Sequence, residues 1–582
     1  MNLTSSTKAS LMTTHLHPAT ATYRLILDHV QDHEVQRADQ VYLTQPVGQG
    51  QVRDYTWRET LDEARRMARH LQSQGFEQGT RIGLITKNCA HFIMAELAIW
   101  LAGGTTVALF PTESADNIRF VLEHSETRLL FVGKLDNWAR QQTGVPQGLT
   151  CIALPLSDAT ADQPDLPRWE DIVASTEALN GRIRRDSKDL ALISYTSGST
   201  GEPKGVMHSF GGISDASERT MALINERAGH PSEHRVLSYL PLSHVFERSK
   251  IACWSLVAGN VHVFFSESLV TFVDDLKRAR PNSFISVPRL WLKFQHGVFA
   301  RMPAEQLDAA LADPVKGRMV AKQILASLGL DAVVSAGSGS APISAELIEW
   351  YRKLGLDLME GYAMTEDFAY SHGSLPQYSK PGYVGGALPG VQSRLSPEGE
   401  ILVKSPGCMV GYYKRPDLTA EAFTDDGYFR TGDCGHFEPN GMLKLTGRIK
   451  ELFKTTKGKY VAPAPIESRL NNHPMIELSM VCGTGQSAAC ALVQLSEQHQ
   501  TQRQDPAMRE QIELELARLV EDVNATLSDH EQLRLMVVMN EPWTIDNGCL
   551  TATLKIKRNA IEASVQQRLY DWYAQPDQVI WA

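Results

Sequence analysis

Residues 194–205 read Ser-Tyr-Thr-Ser-Gly-Ser-Thr-Gly-Glu-Pro-Lys-Gly. Four hydroxyl side chains (Thr196, Ser197, Ser199, Thr200) and two glycines (Gly198, Gly201) crowd into six positions, and Lys204 stands just beyond. A strand-like run, residues 190–194, leads into the stretch. Glycines let a backbone turn and bring its N–H groups close to a ligand, hydroxyls add short donors, and a lysine adds a point charge. Together they make a phosphate cradle. A Ser/Gly stretch taken alone is more often a flexible surface loop. Here a buried-looking strand precedes it and Pro203-Lys204-Gly205 ends it, which favours the cradle. It is not a Walker A loop: the fifth position after Gly198 is Pro203 rather than Gly, and no Ser or Thr follows Lys204 to hold magnesium. The spacing points to a different nucleotide chemistry.

Working outward, 582 residues are too many for one core and suggest three or four domain-sized units. An apolar content of 43% with 21% charged residues is that of an ordinary globular protein. The net charge of −10 excludes the electrostatic footprint of a nucleic-acid binder, so no nucleic-acid partner is expected. The eight cysteines are scattered, with no Cys-x-x-Cys and no His-Glu-x-x-His. A zinc site or disulfide framework is therefore not expected, and a reducing, cytoplasmic location is the default. Residues 1–20 are Ser/Thr/Ala-rich without an apolar core segment and read as a disordered tail rather than a signal peptide. Residues 92–110 are almost wholly apolar, but Gly103-Gly104 splits them and a β-branched run follows. They read as a buried helix, a turn and a buried strand, not a membrane span.

Thr56 and Glu59 form a capping box, Leu61, Ala64, Ala68 and Leu71 follow at helical spacing, and Gly75 closes the helix. Strands at 81–86, 105–110 and 129–132 then alternate with helices at 89–102 and 115–124. The pattern resumes with strands at 261–265, 283–286, 332–335 and 356–359 and helices at 245–256, 269–280, 289–299 and 344–353. Repeated β-α-β implies parallel sheets covered on both faces. From about residue 382 the texture turns to short strands and Gly/Pro turns, with Asn440-Gly441 as a hairpin signal. The fold class is α/β: a large N-terminal part (21–447) with doubly wound sheets and a β-rich subdomain (about 382–447), then a smaller α+β domain (448–582).

Further motifs join the loop. Residues 239–248 read Tyr-Leu-Pro-Leu-Ser-His-Val-Phe-Glu-Arg and residues 338–342 Ser-Gly-Ser-Ala-Pro. Residues 360–366 read Glu-Gly-Tyr-Ala-Met-Thr-Glu and residues 428–433 Tyr-Phe-Arg-Thr-Gly-Asp. Residues 447–451 read Gly-Arg-Ile-Lys-Glu and residues 551–558 Thr-Ala-Thr-Leu-Lys-Ile-Lys-Arg. In this order and spacing the chain resembles the adenylate-forming superfamily, most nearly its long-chain fatty acyl-CoA synthetase branch, over about residues 22–560.

The resemblance implies ATP-dependent activation of a fatty acid to an acyl-adenylate, then transfer to coenzyme A with release of AMP. Anion must attack anion, so the repulsion has to be neutralised first. By the resemblance, Thr196–Gly201 and Lys204 hold the departing phosphates, Thr365 donates to a phosphate, and Glu366 binds Mg2+. Tyr362, after Glu360 and Gly361, offers a ring to adenine, and Gly339, Ser340 and Ala341 pass along the other edge of the base. Asp433 accepts from the ribose hydroxyls and Arg448 reinforces that contact. Lys555 is the expected adenylation catalyst, carried on a mobile C-terminal domain that swings about a hinge at Lys450. Many relatives have Gly before this lysine; here it is Leu554. His244 is expected to shape the acyl or thioester pocket, with helix capping as its plainer reading. Trp254, Val245 and Phe246 are candidates to line an acyl tunnel.

Read singly, these residues have plainer meanings. Thr365-Glu366 is a common helix start, Asp433 a turn cap, and Lys555, Lys557 and Arg558 a basic surface strand. Two rivals follow: a fatty acyl-AMP ligase that loads a carrier protein, and a nucleotide-binding pseudoenzyme. The presence of Glu366, Asp433, Arg448 and Lys555 argues against the second. Peripheral contact with the inner face of a membrane and a homodimer are compatible with this reading.

Overall fold

The computed structural model describes residues 24–197, 202–313, 315–375 and 378–582. A seven-stranded sheet forms one layer, in the spatial order Gly411–Tyr412, Pro203–Ser209, Leu190–Ser197, Thr105–Leu109, Arg81–Ile85, Leu129–Val132, Thr150–Ala153. From Leu190–Ser197 to Thr150–Ala153 its strands are parallel. Such strands need both faces covered. The helix Ala90–Leu101 supplies part of that cover, and every one of its residues is buried. No helix among the described residues is long and apolar enough to cross a membrane.

A second sheet pairs Val41–Gly48, Val261–Phe265 and His234–Ser238 in parallel, with Gln51–Thr56 antiparallel at one edge. A third runs Ser283–Ser286, Ser335–Ser338, Leu358–Tyr362 in parallel and ends in two short antiparallel strands. Four antiparallel strands between Gln392 and Arg448 make the β-rich part, closed by the Asn440-Gly441 hairpin with Gly441 at φ +87°. A last sheet of four strands, from Ile476–Cys482 to Val579–Trp581, is backed by the helices Pro506–Asn524 and Arg558–Ala574. Two apolar core clusters there draw only on residues 453–582.

The expected Thr56 capping box is present, and the helix it starts runs Trp57–Ser73. Two strands differ from expectation. That of 332–335 is Ser335–Ser338, and that of 356–359 is Leu358–Tyr362. The β-branched pair Val333-Val334 invites a strand, but the ladder starts where Ser335 meets Ser283. Partners far along the chain override local propensity. The helix expected at 245–256 is present but interrupted: Val245–Glu247 is α, Arg248–Cys253 is a π-helical turn, and Trp254–Ala258 is α again.

Candidate active site

The opening stretch is the tip of a β-hairpin. Leu190–Ser197 and Pro203–Ser209 pair antiparallel, with Thr196 opposite Lys204 and Ser197 opposite Pro203. Gly198, Ser199, Thr200, Gly201 and the side chain of Ser197 lie outside the described residues. A Cβ on Gly205 would come within 2.9 Å of Ile193 Cγ2, so only glycine fits where the hairpin strands close. Thr196 and Lys204 line a cleft of about 2160 Å³ between the N-terminal sheets and residues 545–560.

The other expected residues come to the same cleft from separate elements. Gly339, Ser340 and Ala341 follow directly on Ser335–Ser338, so the three-residue slip of that strand is what delivers them. A Cβ on Gly339 would stand 3.3 Å from the ring of Phe246, which packs the helix Val245–Glu247 against this turn. Glu360, Gly361 and Tyr362 end the neighbouring strand, and Thr365 and Glu366 form the short 3-10 turn after it. Burial pushes the Glu360 carboxyl up to about 7.

Asp433 is the centre of a polar network. It lies opposite Arg448 in the β-rich sheet and is 7% exposed. Arg448 Nε donates to its Oδ1 at 2.7 Å, and Tyr362 Oη donates to its Oδ2 at 2.7 Å. Each carboxylate oxygen keeps a second lone pair for a ligand hydroxyl. Asp433 also raises the Arg448 guanidinium. Lys450 follows in the 3-10 turn Ile449–Glu451 and lines the cleft.

Tyr412 is a residue that the sequence reading missed. It sits on the edge strand Gly411–Tyr412, opposite Val206. Its hydroxyl donates to Glu366 Oε1 at 2.9 Å, and Lys204 Nζ lies 5.4 Å from its ring centroid. One phenol thus orients both the candidate magnesium ligand and the candidate phosphate lysine. Burial first, then the Glu366 charge, raises the phenol, so it remains a donor. Its signal would have been the Gly-Tyr-Tyr run at 411–413, which has no chemistry of its own until the hairpin brings it home.

His244 does two things at once. It caps the helix Val245–Glu247, where its Nδ1 accepts from Phe246 N at 3.1 Å, and it lines the cleft. Burial and then the Lys555 cation push it down to about 3. It is therefore neutral near pH 7, with Nε2–H as the free donor. The last two residues of that motif are structural. Glu247 accepts from Ser238 Oγ at 2.8 Å and Tyr239 N at 3.1 Å, and burial pushes it up to about 8. Arg248 forms a buried ion pair with Glu96.

Lys555 reaches the cleft on a tight turn in which Thr551 Oγ1 accepts from Lys555 N at 3.1 Å. Leu554, just before it, has φ +59°, the left-handed region that favours glycine. Thr112 Oγ1 donates to Ala552 O at 2.7 Å, and Arg140 pairs with Asp546 at 3.0 Å, holding this turn against the N-terminal sheets. Lys555 keeps accessible surface, but that surface faces the cleft. Withdrawal from water and then the Arg448 cation lower its ammonium, against Asp433 and Glu451. Arg558, three residues on, is instead locked: its two terminal nitrogens donate to Glu467 at 2.7 and 2.9 Å.

Val245, Phe246 and Trp254, the candidates to line an acyl tunnel, border the cleft, and Val245 and Trp254 also belong to an apolar core cluster.

The AMP-binding enzyme family model matches residues 30–413, and the AMP-binding enzyme C-terminal domain model matches residues 451–577. The long-chain-fatty-acid–CoA ligase FadD15 of Mycobacterium bovis is 30% identical over 87% of this chain and 90% of its own length. Long-chain-fatty-acid–CoA ligase 1 of Homo sapiens is 28% identical over 85% of this chain and 78% of its own. The fold is also that of the A domain of a carboxylic acid reductase from Segniliparus rugosus, in complex with AMP and a co-purified carboxylic acid. That match has a TM-score of 0.77 at 21% identity, covering 96% of this chain and 95% of the other. With both family models matched in order along one chain, and the residues of their motifs gathered at one cleft, the protein belongs to the AMP-binding enzyme family.

Proposed function

We propose that this protein is a fatty acid–CoA ligase with a long-chain substrate. It joins the acid to ATP, giving acyl-adenylate and pyrophosphate, then passes the acyl group to coenzyme A and releases AMP. The observation that carries this reading is the position of Lys555. A lysine from the C-terminal part, more than a hundred residues beyond Asp433 and Arg448, stands close enough to both for their charges to act on it. Kinship with long-chain ligases supports the acyl substrate.

In this reading Lys555 stabilises the negative charge that builds on the α-phosphate as the carboxylate attacks. Thr196, Lys204 and Thr365 hold the departing phosphates, and Asp433 accepts from the ribose hydroxyls. Tyr362, Gly339, Ser340 and Ala341 border the base. Neutral His244 offers Nε2–H to the carboxylate of the acid. Glu366 suits Mg2+, which keeps several waters and takes phosphate oxygens beside one carboxylate. Bound there, the ion would neutralise phosphate charge. Tyr412 fixes the Glu366 carboxylate for that role. Lys450 is the proposed hinge between residues 21–447 and a mobile part, 448–582, whose rotation withdraws Lys555 and admits coenzyme A.

The test separates the half-reactions. Lys555→Ala should abolish fatty-acid-dependent pyrophosphate release yet spare thioester formation from supplied acyl-adenylate. Equal loss of both would overturn the assignment. AMP release that needs a carrier protein rather than free coenzyme A would instead identify an acyl-AMP ligase.

A further inference from the structure

The C-terminal part meets the N-terminal sheets at a second place, away from the cleft. The helix Pro288–Phe299 begins directly after the strand Ser283–Ser286 and has two faces. Trp291, Phe294 and Val298 are buried in an apolar core cluster. Arg289, Lys293 and His296, at spacings of four and three residues, form a polar stripe on the opposite face. The whole stripe meets the C-terminal part. Arg289 pairs with Glu477. Lys293 feels the charge of Glu497, and His296 hydrogen-bonds the backbone of Asn472.

Two features set Arg289 and Glu477 for each other. Arg289 is the second residue of its helix, where the backbone dipole favours anions and disfavours a guanidinium. Burial there lowers the guanidinium further, so both effects call for a carboxylate beside it. Glu477 supplies one from a β-bulge. The pairing of Ile476–Cys482 with Ala489–Leu495 slips between Ile476 and Leu478, which leaves Glu477 as the extra residue. A bulge re-aims a side chain, and this one is aimed at the helix. The same strand carries Val481, whose carbonyl accepts from Arg558 Nη1 at 3.1 Å, three residues beyond Lys555. The strand that is held by Arg289 is therefore the one that braces the segment of Lys555.

We propose that Arg289 and Glu477 form a latch that holds the C-terminal part in the adenylating orientation, which makes Arg289 a positioning residue for Lys555. Neither latch residue lines the cleft, so neither touches ATP or the acid. The inference rests on the ligase reading and on rotation about Lys450. A latch has to open in every turnover. With 40% and 35% of their side-chain surface exposed, the two residues form an ion pair weak enough to do so. In that reading the two half-reactions use different orientations, so the ratio of their rates follows the orientation equilibrium.

The test measures both half-reactions in the full chain: ATP–pyrophosphate exchange with a saturated long-chain acid, and thioester formation from supplied acyl-adenylate. Glu477→Arg, which faces Arg289 with a like charge, should lower the ratio of adenylation to thioester formation by about fivefold or more. Glu477→Gln only removes the pair. It should lower the ratio by about two- to threefold, and it serves if the reversed charge prevents folding. Combining Arg289→Glu with Glu477→Arg should restore the ratio. A merely structural role would depress both half-reactions alike and leave their ratio unmoved. An unchanged ratio in the single variants, or no recovery in the double variant, overturns this inference and leaves the ligase reading standing. No pyrophosphate release with any fatty acid overturns the ligase reading, and this inference with it.

Discussion

The nucleotide half and the acyl half of the cleft handle their polar groups in opposite ways. On the nucleotide side they reach the cleft already bonded, with Tyr362 and Arg448 on Asp433 and Tyr412 on Glu366. They project from strands and short turns, where backbone ladders fix their direction. Groups held in place beforehand need no reorganisation as charge develops, which is where electrostatic catalysis gains most. On the acyl side Lys250, Arg227 and Trp254 project from two helices, and part of their bonding capacity is unfilled. Helical side chains can change without disturbing a sheet ladder. The difference teaches that, in the proposed reading, the nucleotide chemistry is built on strands and short turns, whereas the acyl side is lined by helix faces.

The largest effect should come from Lys555, whose charge completes the nucleotide half. Lys555→Ala should lower the rate of acyl-adenylate formation about 1000-fold, or about 4 kcal/mol, in ATP–pyrophosphate exchange. Arg558→Ala sharpens the contrast within one short segment. It leaves Glu467 partly buried and unpaired, and should cost about 3 kcal/mol of stability, read from the urea midpoint. Both half-reactions should then fall together as folded protein is lost. Tyr412→Phe keeps the ring under Lys204 but frees Glu366. A roughly tenfold rise in KM for MgATP is expected, since hydrogen bonds to charged groups are worth about 1.5–3 kcal/mol. An unchanged KM would show that Glu366 is oriented without its phenol. The smallest effect should be at Leu554. Relief of a left-handed leucine, offset by the added chain freedom of glycine, should make Leu554→Gly more stable by under about 1 kcal/mol in thermal unfolding. A clear loss would mean that the leucine side chain makes contacts worth more than its strain.

Much of the architecture was legible where local interactions decide it. The Thr56 capping box and the Asn440-Gly441 hairpin are set by residues within a few positions of one another. Strand limits that depend on distant partners were not, as the shift from 332–335 to Ser335–Ser338 shows. The π-helical turn was hidden for the same reason. Its wider path places Arg248 on Glu96 and Lys250 in the cavity, and neither demand is visible from neighbouring residues. Tyr412 was overlooked because its role exists only once its strand pairs with Pro203–Ser209.

The sequence by itself determined the family, because its motifs are short runs of particular residue types and those runs occur in order along the chain. It also singled out Lys555, although by kinship rather than by any local signal. Only the tertiary structure decided that Lys555 shares a cleft with Asp433 and Arg448 and feels their charges, while Arg558 is spent on Glu467. It alone showed that Lys250 lines the cleft and donates to Thr220. Burial and partnership depend on residues brought together from far along the chain, and no single stretch of sequence carries that information.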